Sequence, residues 1–127
     1  MSLTGDGRSS MDSADQLTAC GETLAVVRKK ALLRILARRE AERAGLNVTD
    51  ADIAATLEKF CHDFGLAEQK ELSRWLAQQQ LSEAGFAKAM LDFTIVRLLE
   101  QAYAGQIDEL VPDHIAISTA RFRGPAV

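Results

Sequence analysis

Several things that catalytic and secreted proteins rely on are scarce in this chain. There are two cysteines, Cys20 and Cys61, far apart and without Cys-x-x-Cys spacing. That argues against a disulfide framework and against a zinc site, and reads as two free thiols in a reducing compartment. No Gly-rich phosphate loop, Glu-x-x-His pair or Ser/His/Asp ordering is present. The N-terminal stretch MSLTGDGRSSMDSADQ has no apolar core of a signal peptide. No later run reaches the roughly eighteen uncharged apolar residues that a membrane span needs, so the expectation is a soluble cytoplasmic protein that does not engage membrane. A basic excess is missing as well. The net charge is −3 and the pI near 5.4, which argues against a surface adapted to nucleic acid or anionic lipid.

What is present is enough apolar material for a core. At 127 residues and 47% hydrophobic, the chain fits a single domain. Residues 1 to 20 are rich in Ser, Gly and Asp and read as a loose tail, with one helical domain over 21 to 127. The charge is uneven: residues 1 to 44 hold eight Lys and Arg against six Asp and Glu, and residues 45 to 127 hold seven against twelve.

The periodicities predict an all-α fold, a compact array of four to five helices around a central apolar helix at about 82–104. In that helix Phe86, Met90 and Phe93 share one face, Leu91, Ile95, Leu98 and Leu99 cover the opposite one, and Val96 lies between. Ser82 is placed to cap its start, and Gly105 to turn the chain out of it. A first helix is expected from Glu22 to Ala44, closed by Gly45, with apolar rows on more than one side. A second follows a Thr49/Asp52 capping box and carries Ile53, Leu57, Phe60, Cys61 and Phe64 as a single stripe up to Gly65. Leu72, Trp75 and Leu76 mark a shorter third helix, from about Ala67 to Gln79. After Pro112 the pattern permits either a last helix ending at Gly124 or, from the alternation of Ile115, Ile117 and Thr119, a strand.

The candidate chemistry is thin. His62 lies opposite the apolar stripe of its helix while the adjacent Cys61 points inward, so the two do not act as a pair. His114 is a lone histidine. The cluster Asp108, Glu109 and Asp113 reads as a short, solubilising acidic loop rather than the fixed helical array of a metal-carboxylate bundle. No catalytic residue, metal ligand or cofactor is expected. The binding candidates are Lys30, Arg34 and Arg38, a basic ridge at i, i+4 and i+8, together with Leu33, Leu36 and the single tryptophan, Trp75. The ridge suits an acidic peptide or phosphates, and its plainer reading is a solvated face whose stems cover apolar neighbours. Trp75 is either a partner anchor or a core residue. Arg121 and Arg123 flank Phe122 and read either as a mobile tail or as the extension of a basic or peptide-binding edge.

The run Leu32 to Leu99 resembles the N-terminal helical domain of SurA-type periplasmic chaperones and related parvulin prolyl isomerases. The likeness lies in the order of parts: Ala41 to Gly45 ending a helix, Val48-Thr49-Asp50 capping the next, Phe64-Gly65-Leu66 closing it, then Leu81-Ser82-Glu83 and Phe86 opening the final helix. After Leu99 too few residues remain for a parvulin domain, so the resemblance implies a non-enzymatic, chaperone-like helical module that holds peptide, here in a groove between the first and last helices. The same order is similar to the C-terminal segment of TfuA-like proteins, which implies instead an accessory or catalytic subunit in a bacterial peptide-modification system beside a YcaO enzyme. A third reading is a nucleic-acid-binding helical protein using the Lys30 ridge. The partner expected is a peptide or protein. A homodimer or obligate hetero-partner is expected to contact the Leu32, Leu33 and Leu36 side, with the Lys30 ridge bordering the contact and pairing with Glu40 and Glu42 of the other chain.

Overall fold

A computed structural model describes residues 16–123, with side chains described through Ala120. Five helices follow one another: α1 Leu24–Ala44, α2 Asp50–Asp63, α3 Gln69–Gln78, α4 Glu83–Ala102 and α5 Ala104–Arg123. The fold is all-α, and among the described residues there is no strand, only an isolated antiparallel bridge between Leu17 and Thr23. The chain divides into two compact units, Met1–Asn47 and Val48–Val127.

In the first unit, part of the stretch expected as tail is ordered. Thr18 N–H donates to the Glu22 carbonyl at 2.8 Å and Leu24 N–H to the Gln16 carbonyl at 3.0 Å, which closes a turn ahead of α1. Residues 1–15 lie outside the described ones. Thr23 then caps α1 by accepting from Val26 N–H, and Gly45 at φ +65° closes it as expected, with Leu46 N–H reaching back to the Ala41 carbonyl at 2.8 Å. Ala37 and Ala41 are the buried residues of this helix.

In the second unit α2 starts at the expected capping box. The Thr49 hydroxyl accepts from Asp52 N–H and the Asp52 carboxylate from Thr49 N–H, both at 3.1 Å. Its apolar stripe is only half-buried, and Phe64 is 65% exposed, its ring resting 4.8 Å from that of Phe60. The core is built where α2, α3 and α4 meet: Leu76, Phe86 and Met90 are buried, with Leu57, Phe60, Leu72, Trp75 and Ala89 packed on them. Phe60, Trp75 and Phe86 meet edge to face at centroid separations of 5.5 to 6.2 Å.

The central helix is not apolar all round. Phe93, expected with Phe86 and Met90, is 43% exposed, whereas Asp92 and Thr94 are fully buried. Thr94 Oγ1 lies 2.7 Å from both the Met90 carbonyl and Thr56 Oγ1, and Arg97 donates to the Asp52 carbonyl at 3.1 Å. A polar seam therefore ties α4 to the first turns of α2.

Gly105 does not turn the chain. The break falls at Tyr103, at φ −106° and ψ 18°, and even there the Tyr103 carbonyl accepts from Ile107 N–H at 2.9 Å. Helix resumes at Ala104 and runs through Pro112, so neither the strand nor a helix beginning at Pro112 is what forms. Pro112 has no N–H to offer the Asp108 carbonyl, and α5 lacks that one bond. The side chains of Arg121, Phe122 and Arg123 lie outside the described ones, as does Gly124.

Candidate functional site

On α1 the geometry separates two features that the sequence suggested were neighbours. At ~100° per residue, Leu32 and Leu36 are turned away from the side of buried Ala37 and Ala41. Leu32, Leu33 and Leu36 are each about half exposed. The basic ridge sits on the other side: Arg34 and Arg38 are partly buried, and Lys30 is spent on an ion pair with Glu22 at 2.6 Å. The cations that border Leu32 and Leu36 are Arg28, Lys29 and Arg39, all exposed. Sequence spacing found the ridge but not its burial, because seven basic residues leave hardly a side of α1 without one. Glu40 is joined within its own chain to Arg43, at 2.6 Å.

Trp75 lies in the second unit, at the edge of the aromatic cluster. Its indole is half-buried against Phe60 and Phe86.

The second unit carries an open hollow of about 980 Å³ beside α2, walled by Leu57, Cys61, His62, Leu66 and Leu72. At its rim Lys59 Nζ pairs with Asp63 at 3.0 Å and His62 Nδ1 lies 3.6 Å from the same carboxylate. The Lys59 hydrogen bond first, and that of His62 after it, hold the Asp63 carboxyl below the usual carboxylate range. Asp63 is thus a carboxylate beside His62 that the sequence reading did not supply. No hydrogen bond links His62 to Cys61, and the imidazole is 88% exposed. This is solvated surface electrostatics rather than a nucleophile with its base. Among the described residues no three His, Cys, Asp or Glu side chains form a group able to hold a metal ion.

A second exposed apolar surface was not anticipated. On α5, Ile107, Leu110, Val111 and Ile115 are 39% to 61% exposed and share one arc with His114 and Ser118, lining a shallow groove of about 570 Å³. The spacing 107, 110/111, 114/115, 118 was readable as a helical stripe. It was masked by Pro112 inside it and by the coincident alternation of Ile115, Ile117 and Thr119.

Among the described residues the exposed apolar faces of α1 and α5 are the candidate sites. No family model, curated protein or solved structure matches it. Among the described residues no helix is long and apolar enough to cross a membrane. The faces themselves carry the functional argument.

Proposed function

We propose that the chain is a non-enzymatic module that binds a peptide or protein segment on the Leu32, Leu33 and Leu36 face of α1. The observation that carries this reading is the half exposure of three leucines within two turns of α1, with Leu32 and Leu36 bordered by the exposed cations Arg28, Lys29 and Arg39. Apolar anchors of this kind lose water when a partner's apolar stripe covers them, and the cationic borders select a partner with acidic flanks. The occupant suited to the face is an amphipathic helix with leucine-type anchors and acidic edges.

The test is a fluorescence anisotropy titration of the full chain against a labelled acidic amphipathic helical peptide. Binding should weaken at least about tenfold in Leu32→Asp/Leu36→Asp, the equivalent of ~1.4 kcal/mol. Circular dichroism should stay unchanged, because both positions are exposed. Absence of binding by the native chain, or equal binding by the variant, overturns the reading.

A further inference from the structure

The α5 surface calls for an occupant of its own. Every described side chain from Ala104 to Ala120 is exposed, including five large apolar ones between Ile107 and Ile117. In proteins most helical stability comes from packing an apolar face rather than from propensity, and α5 also lacks a backbone bond at Pro112. A stripe that shows this much apolar area is one that a partner covers.

Charge selects that partner. At ~100° per residue Asp108 borders the apolar arc on one side, Glu109 and Asp113 on the other. No Lys or Arg occurs in α5 before Arg121. The complement is a helix with an apolar row between cations, and α1 is such a helix, with seven basic residues against two acidic ones. The lengths also agree, 21 residues against 20, each about 30 Å. Pairing α1 with its own copy would instead set two strongly cationic helices side by side.

We infer that α5 is the docking surface for α1 of a second copy of this chain. The inference rests on the reading of the α1 face given above and names its occupant: Leu32 and Leu36 of one copy lie on Ile107, Leu110, Val111 and Ile115 of the next, and Arg28, Lys29 and Arg39 face Asp108, Glu109 and Asp113.

Sedimentation of the full chain across the micromolar range tests it with charge reversal at exposed positions. Asp108→Lys/Glu109→Lys/Asp113→Lys, and separately Arg28→Glu/Lys29→Glu/Arg39→Glu, should each raise the dissociation constant at least about tenfold. The chain carrying all six substitutions should recover native association to within about threefold, because the charges are again opposite. A native chain that stays monomeric overturns the inference, as does association that is indifferent to the α1 set or is not recovered in the six-fold variant. A monomer that still binds the acidic probe peptide removes this inference and leaves the α1 reading standing. In Leu110→Asp/Ile115→Asp, which leaves all charges of the α1 set in place, association should be lost. Persistence of association there also overturns it.

Discussion

Gln80 is the one described residue other than glycine with a positive φ, +56°, in the link between α3 and α4. A side chain in that conformation costs roughly 1 kcal/mol that glycine does not. Gln80→Gly should therefore stabilise the protein by up to about 1 kcal/mol in urea unfolding, and a destabilised variant would contradict the account of the turn. The sequence placed the end of α3 near Gln79, but nothing in glutamine announces a left-handed backbone at Gln80. Asp92 and Thr94 were equally illegible, since both types are ordinarily exposed and only the packed structure shows them buried. Thr94→Val keeps the shape and removes the hydroxyl that meets Thr56, so it should cost about 1 to 2 kcal/mol. Asp52, by contrast, was readable from its spacing to Thr49. The Thr49 backbone N–H first, the Thr49 hydroxyl next and the Arg97 charge last hold its carboxyl below the ordinary value, with slight desolvation acting the other way. A carboxyl lowered by folding contributes stability that is present above its unfolded pKa of about 3.9 and is lost as pH falls through the lower folded value. Asp52→Asn should flatten the loss of stability below about pH 4, read as urea midpoint against pH. An acid limb as steep as the native one would refute that role.

At the scale of elements, ends were more legible than faces. Caps are local: Thr49, Ser82, Gly45 and Gly65 each satisfy backbone groups within a few residues of themselves, and each does so in the structure. Faces depend on what packs against them. The α2 stripe was correct as a stripe but only half covered, and the α1 ridge was correct as a ridge but partly buried. The start of α5 was misplaced, at Pro112 instead of Ala104, because Pro112 is a local stop signal that 20 residues of helix override. Pro112→Ala should restore the missing backbone bond and raise helix content and stability, by up to about 3 kcal/mol. A loss of helicity in that variant would show that the proline shapes α5 in some further way.

At the scale of the molecule, the sequence carried the all-α class and the apolar leucines of α1, while the aromatic packing of Trp75 and the exposed face of α5 emerged from structure. Burial in this chain is concentrated in few side chains, and the large apolar residues left at the surface cluster on α1 and α5. That distribution fits a protein whose stability is completed by association. The most direct measurement is amide hydrogen exchange of the native chain at dilute and at concentrated conditions. Protection should rise together over residues 28–36 of α1 and 107–118 of α5 as concentration increases, with the α2–α4 core unchanged. Fast exchange in both helices at every concentration, or protection gained in one without the other, would contradict the account.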